Sequence, residues 1–426
     1  MELGRTNRFL AGVCLLSALG ACSDISFDPP EAQGPAAMVA QAGPPQLWVL
    51  SKQEETRSVG VSSGVRPTIY WRQDTYFHFQ VQAFDPATAR PLWSRRLLTL
   101  GDDQPKSHEP SRVVGSSADG RLLGQDGDVV WLMLNQRPIA LNAADGRMLA
   151  DAPGLEQRNP ELAGLLPIDA GHYAFDRGLV LLAADARRFV IRGPELRAEP
   201  YVPTPQPPDP PAERLANGHG RVTPTLPSGD VPARLAKIDA DWVALYSEKE
   251  AADAAKDSFG DNLRYPYRVI NEGALVRRSL WRPRIVSARR FDDVFDRFES
   301  FAPIPGAPSF IQGRFFKDPA TGQPMPLSSP TGLLVWHSTR VDSAGRLALS
   351  RLDADLRTVW TRELPLSENS TSTPVVSWRV ADGLVVTGLR ESTEDGLRLQ
   401  EPHLVAIRLA DGAMQAWNLR RDAAVD

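Results

Sequence analysis

The chain has 426 residues, a formal net charge of −4 and an apolar fraction of 42%. A mildly acidic chain gives no long-range attraction for nucleic acid, which argues against that class of partner. Cys14 and Cys22 are the only cysteines, too few for a disulfide framework, so burial must stabilise the fold.

The first 22 residues have the features of an export signal. Arg5 and Arg8 precede an apolar run over residues 9–19, and the segment closes on Leu19-Gly20-Ala21-Cys22. A basic tip, an apolar core too short to span a bilayer and small residues before the cut predict a secretory signal over residues 1–21. The ending resembles the lipobox of bacterial lipoproteins, which implies cleavage before Cys22 and a permanent lipid anchor on that residue. The alternative is a small core cysteine in a helix.

The residues after Cys22 predict where the anchor lies. Ser23 follows the cysteine, and Asp24 comes one position later than in the inner-membrane retention signal that it resembles. We therefore expect the outer membrane, facing the periplasm, with the inner membrane and the cell surface as alternatives. Residues 22–45 carry five prolines among small and polar residues, which predicts a flexible tether.

From Gln46 onward, short apolar or alternating runs separated by turn residues predict an all-β domain. Within Thr75–Phe84, aliphatic and aromatic residues alternate with more polar ones, so one face of this strand should be buried. The clearest predicted strands are Gln46–Ser51, Thr68–Arg72, Tyr76–Phe84, Val129–Leu134, Leu179–Ala183, Trp242–Tyr246, Leu333–Ser338 and Leu384–Leu389.

An imperfect repeat joins a strand end, a polar turn and a closing apolar or Trp position. Its four copies span Ala83–Trp93, Ala140–Leu149, Ser350–Trp360 and Ala406–Trp417. The turns combine side-chain capping with a residue that tolerates positive φ. The copies resemble the repeat of pyrroloquinoline-quinone-type (quinoprotein-type) β-propellers, at both ends of the chain but not in its middle. This implies a propeller of about six to eight blades over residues 46–426, with a β-sandwich as the alternative.

The middle of the chain, residues 194–300, predicts an insertion. Eleven prolines lie between Pro194 and Pro232, which argues against regular strand pairing there because proline cannot donate to a ladder. A solvated loop and a polyproline-II docking arm remain open. Ser247, with Glu250 three residues later, then predicts a capped, short and exposed helix over Ser247–Ser258.

A basic cluster follows this helix. Its functional interpretation is an interaction patch for anionic head groups or an acidic partner, and its alternative is an ion-paired rim, because acidic residues lie close by in the sequence. The cluster consists of Arg277, Arg278, Arg282, Arg284, Arg289 and Arg290.

The sequence carries no catalytic signature. Its six histidines are isolated, and no second cysteine could complete a zinc site in the mature chain. Quinoprotein dehydrogenases of the resembled fold usually have a vicinal disulfide under their cofactor, so the lack of a cysteine pair argues against that type of enzyme. Together, these absences lead us to expect no cofactor, no metal and no catalytic residues. Asp126-Gly127-Asp128 resembles a fragment of a calcium loop but lacks the distant glutamate, which favours a hairpin turn.

These features favour a non-catalytic, protein-interaction scaffold in the cell envelope, whose partners are the membrane, through Cys22, and other envelope proteins. The resemblance extends to lipoproteins that use the same repeat as a scaffold. Whether the chain is an enzyme stays open. The alternative is a ligand-binding or hydrolytic propeller acting on carbohydrate or peptidoglycan fragments through its central funnel, with Trp71, Trp131, Trp336 or Trp378 as stacking surfaces.

Overall fold

The chain divides into two compact units. In this computed structural model, unit 1 comprises residues 1–84 and 91–203, and unit 2 comprises residues 85–90 and 204–426. The structure describes residues 24–34, 36–63, 68–101, 119–203, 213–214, 221–222, 234–238, 241–256, 276–290, 293–316, 326–328, 331–341, 345–367, 375–394 and 397–425.

The first sheet of unit 1 is built around one long antiparallel hairpin. Its two arms each have 18 residues and pair from Leu47↔Phe84 to Ser63↔Thr68. The strands are β1 (Asp24–Phe27), β2 (Glu31–Ala32), β3 (Ala37–Val39), β4 (Gln46–Ser63), β5 (Thr68–Asp85) and β6 (Arg90–Gly101).

Three short strands lie within the expected tether. The strands β1, β2 and β3 each pair antiparallel with β4. Val39 is buried in the core beside Trp48, so apolar burial accompanies the pairing. The prediction of a flexible tether over 22–45 is therefore wrong for β1, β2 and β3, because paired backbone groups hold these strands to the sheet.

Two four-stranded antiparallel sheets complete unit 1. The second sheet has the order β10-β9-β8-β7, and the third has the order β11-β12-β13-β14. Helix α1 (Ala152–Arg158) lies between them in sequence and begins where Asp151 accepts a hydrogen bond from Gly154 N. The strands are β7 (Gly120–Asp126), β8 (Val129–Leu134), β9 (Arg137–Asn142), β10 (Met148–Ala150), β11 (Tyr173–Phe175), β12 (Leu179–Leu182), β13 (Arg188–Arg192) and β14 (Arg197–Pro200).

Strand β8 packs on both of its faces, which stacks the three sheets of unit 1. Val129, Trp131 and Met133 belong to a core shared with the third sheet. The alternate residues Val130, Leu132 and Leu134 belong to a core shared with the first sheet. All six side chains of β8 are buried, as the two-residue period of a strand requires when sheets cover both faces.

Unit 2 contains a two-stranded, a nine-stranded and a five-stranded antiparallel sheet. Helix α2 (Glu248–Lys256) lies between β18 and β19 in sequence. The strands are β15 (Glu213–Arg214), β16 (Arg221–Val222), β17 (Leu235–Ile238), β18 (Asp241–Tyr246), β19 (Arg277–Arg290), β20 (Asp293–Pro303), β21 (Ser309–Phe315), β22 (Pro326–Ser328), β23 (Thr331–Ser338), β24 (Leu347–Leu352), β25 (Thr358–Glu363), β26 (Val376–Val380), β27 (Gly383–Glu394), β28 (Leu397–Arg408), β29 (Met414–Asn418) and β30 (Ala423–Val425).

The all-β prediction is confirmed, and the predicted strands coincide with β4, β5, β8, β12, β18, β23 and β27. The proline-rich segment differs in part. Strand β14 pairs with β13, and β15 pairs with β16. Pro200 is tolerated as the last residue of β14, which is the edge strand of its sheet, because an edge residue can lack a ladder donor.

The turns of the four repeats share one backbone feature. Each places a residue in the left-handed region, with φ of 56° at Ala89, 66° at Gly146, 63° at Leu356 and 70° at Gly412. At Ala89, Gly146 and Gly412, the backbone N–H donates at 2.8 Å to the carbonyl four residues earlier. The third copy is one residue tighter, with Leu356 N donating to Asp353 O at 3.1 Å.

The tryptophan that closes one repeat packs on the turn of the next. Trp93 lies so close to Gly146 that a Cβ added there would come within 2.4 Å of the Trp93 ring. A Cβ added at Gly412 would likewise lie 2.7 Å from the ring of Trp360. Trp360 Nε1 also donates to Leu409 O at 3.0 Å. One such pair lies in unit 1 and one in unit 2, and each links consecutive repeats in sequence.

Candidate functional site

Cys22, the predicted lipidation site, lies outside the described residues. The description begins at Asp24, the first residue of β1. The distance in sequence between the predicted anchor and the first strand is therefore two residues.

Arg278, a member of the predicted patch, is buried rather than available to a partner. Its side chain forms a two-pronged ion pair with Glu250, in which Nε donates to Oε2 and Nη2 donates to Oε1, both at 2.9 Å. Arg234 Nη1 donates to the same Oε1 at 2.8 Å. All three side chains are buried. Burial lowers the pKa of Arg234, and the charge of Arg278 adds to this effect while Glu250 opposes it.

The predicted capping box is what places Glu250 in this cluster. Ser247 N donates to Glu250 Oε2 at 2.9 Å, and Glu250 N donates to Ser247 Oγ at 3.1 Å. Helix α2 therefore starts as predicted, but it is not an exposed helix. Glu250, Ala251 and Ala254 are buried, and the alanines pack against Tyr246 and Phe298.

Arg282 and Arg284 remain exposed on one face of β19. Beyond the pairing with β18 and β21, this strand continues with β20 as a two-stranded arm. Arg282 Nη1 lies 2.8 Å from Asp241 Oδ2, and Arg284 Nε lies 2.9 Å from Glu299 Oε2. Glu299 is the extra residue of the bulge opposite Arg284 and Ile285, so the bulge supplies the carboxylate.

The other members of the predicted patch do not join this face. Arg277 is an odd-numbered residue of β19 and lies on the opposite face, where its Nη1 donates to Ser309 Oγ at 2.9 Å. Arg289 and Arg290 pair in register with Val294 and Asp293, and their side chains lie outside the description. The structure thus brings together two of the six arginines as an exposed pair.

Both arginines are held by exposed ion pairs. Arg282 and Asp241 are exposed by 59% and 68%, and Arg284 and Glu299 by 73% and 39%. Exposed ion pairs of this kind contribute about 0–1 kcal/mol. A carboxylate of a binding partner could therefore replace Asp241 or Glu299 at little cost. A guanidinium group can bind such a carboxylate through two parallel hydrogen bonds.

A second polar cluster, not predicted, lies on the β4–β5 hairpin. His78 Nε2 lies 2.6 Å from Glu55 Oε2, and His78 Nδ1 lies 3.0 Å from Thr99 Oγ1. Glu55 also accepts a hydrogen bond from Arg57, which lowers the pKa of that carboxyl against the opposing effect of burial. Arg57 in turn lies over the ring of Tyr76, 4.3 Å from its centroid.

This hydroxyl–imidazole–carboxylate order occurs in nucleophilic enzymes, but here it spans three neighbouring strands, and His78 and Glu55 are buried. We interpret it as a polar network that joins β4, β5 and β6. No signal in the sequence marked it, because Glu55 and Thr99 lie 23 and 21 residues from His78. Only the strand register brings them together.

The tryptophans proposed as stacking surfaces differ in their burial. Trp131 and Trp336 are buried in cores, where they cannot stack on a ligand. Trp378 is half-buried on β26, and the side chain of Trp71 lies outside the description. Asp126-Gly127-Asp128 forms the turn between β7 and β8, with Gly127 at a φ of 56°, as the hairpin interpretation predicts.

Within the described ranges, no three His, Cys, Asp or Glu residues come together as metal ligands. None of the helices in that same part of the chain has the length and apolar character needed to cross a bilayer. No protein-family model matches this chain, and a search of curated proteins finds no match.

Proposed function

We propose that this chain is a cell-envelope lipoprotein, anchored through Cys22 to the outer membrane on its periplasmic side, that acts as a non-catalytic interaction scaffold. Its repeats form a β-propeller of the quinoprotein type without the quinone cofactor. The scaffold binds an acidic envelope protein through Arg282 and Arg284.

The propeller is supported by how consecutive repeats pack. A closing tryptophan seats on the next repeat's turn glycine in both units, at Trp93 with Gly146 and at Trp360 with Gly412. Blades of a propeller need such contacts because each sheet must bury its face against the next one. Strand β8 likewise buries its two faces against the sheets on either side, through the two cores described above.

The interaction surface is supported by the contrast between the first residues of β19 and its middle, where Arg282 and Arg284 lie. Arg278 fixes the strand to α2 through buried Glu250, whereas Arg282 and Arg284 on the same face are exposed. The buried ion pair of Arg278 thus anchors the strand whose backbone presents the two exposed arginines. This contrast is the observation that carries the proposal.

The test is site-specific photo-crosslinking in intact cells. A photoreactive residue replaces Arg282 or Arg284 in one pair of variants and Arg187 in the control. Arg187 also belongs to an exposed ion pair, with Asp185. We expect one defined adduct from positions 282 and 284, none from 187, and loss of the adduct when Cys22→Ala removes the anchor. Equal adduct patterns from all three positions would contradict the proposal.

The funnel hypothesis loses two of its stacking residues, because Trp131 and Trp336 are buried. Trp378 keeps partial exposure. The crosslinking experiment separates the two functions, since a ligand-binding or hydrolytic propeller requires no protein adduct at Arg282 or Arg284.

A further inference from the structure

Strand β1 begins near the end of the β4–β5 hairpin at which Ser63 pairs with Thr68. The register is antiparallel, with Asp24 opposite Ser58 and Phe27 opposite Glu55. The first residue of β1 therefore lies on the side of the hairpin end, formed by residues 58–63 and 68–73. Two Cα steps separate Cys22 from Asp24, which limits their distance to about 8 Å.

Strand β1 also carries exposed apolar side chains. Ile25 is 48% exposed and Phe27 is 52% exposed. They are two residues apart on a strand, so they share one face. Large apolar side chains exposed directly after a lipidated residue would bury their surface in the interfacial region of a bilayer.

We infer that the lipid anchor joins the folded domain without a tether, so that β1 and the end of the β4–β5 hairpin are held against the membrane surface. Ile25 and Phe27 contact the lipid head-group region. This inference rests on the proposed lipidation of Cys22. It goes beyond that proposal because it fixes which end of unit 1 meets the bilayer.

The hairpin gives the inference an internal scale. Gln46 begins β4, 12 residues before Ser58, and a strand rises by about 3.3 Å per residue. The opposite end of β4 is therefore about 40 Å along the hairpin from the position of Asp24. A label near Gln46 should report water when a label on β1 reports lipid.

The experiment uses the full lipidated protein in vesicles of phosphatidylethanolamine and phosphatidylglycerol that contain head-group spin-labelled lipid. An acylated Cys22 leaves no other thiol in the mature chain, so an introduced cysteine takes the fluorophore alone. Ser26→Cys labels exposed β1, and Ala42→Cys labels the exposed segment before β4 as the control. We expect at least threefold stronger quenching at position 26 than at position 42.

Two further measurements keep the outcomes distinct. Mass spectrometry of the amino-terminal peptide establishes the acyl chains, and their absence would overturn the lipoprotein proposal together with this inference. Acylated protein with equal quenching at both positions would overturn this inference alone. The Ile25→Ser/Phe27→Ser variant should roughly halve quenching at position 26 without changing the acyl mass, and unchanged quenching would exclude the apolar contact.

Discussion

Gly412 combines two constraints that can be separated experimentally. Its φ of 70° is unfavourable for other residues, and an added Cβ would lie 2.7 Å from the ring of Trp360. Gly412→Ala should therefore cost about 1–2 kcal/mol for the left-handed backbone and about 1–3 kcal/mol for overpacking. The measurement is the free energy of unfolding in urea.

Gly306 provides the matched control in the same unit. Its φ is 73°, but no atom lies within 4 Å of an added Cβ. Gly306→Ala should show only the backbone cost, so the two variants should differ by the cost of the Trp360 contact. Equal losses would mean that the tryptophan adapts without cost, and the argument for tight seating between repeats would fail.

At the scale of one element, α2 depends on Glu250 for both its start and its attachment. Glu250→Gln keeps a side chain of similar size but removes the charge that faces Arg234 and Arg278. Leaving buried charge without its partner typically costs about 3–5 kcal/mol. We expect a loss of this size in urea unfolding, and faster amide exchange in α2.

Glu248 lies in the same first turn but is exposed. Glu248→Gln should change stability by less than about 0.5 kcal/mol, as surface substitutions do. If both variants lose the same stability, the effect comes from the helix terminus rather than from the buried cluster.

The elements differ in how far the sequence could predict them. Alternation in Thr75–Phe84 marked β5, since Phe79, Val81 and Ala83 enter one core. The capping box marked the start of α2, because it needs only residues three apart. The burial of Glu250 was missed, because Arg234 and Arg278 lie 16 and 28 residues away and only the fold brings them together. Strands β1–β3 were missed because each has only two to four residues, which is too few for a periodic signal.

At the scale of the whole molecule, the buried His403 and the half-buried His337 link stability to pH. Burial lowers the pKa of His337 and of His403, against smaller opposing effects of nearby backbone acceptors. The unfolded chain, with histidine pKa values near 6.5, then binds protons that the folded chain does not. The stability that the two neutral histidines contribute is fully present above about pH 6.5, the pKa in the unfolded chain, and is lost as the pH falls below it.

We therefore expect the free energy of unfolding to fall between pH 7 and pH 5.5, by at most about 1.4 kcal/mol per pH unit for each histidine. Urea unfolding at stepped pH measures this slope. Glu55 and Glu401 have carboxyls with lowered pKa. Their protonation reduces the free energy of unfolding only at lower pH, near 4. The variant His337→Asn/His403→Asn should flatten the slope above pH 5.5, and exposed His172→Asn should leave it unchanged. A slope that survives the double variant would show that other groups take up the protons, because asparagine cannot bind one in this range.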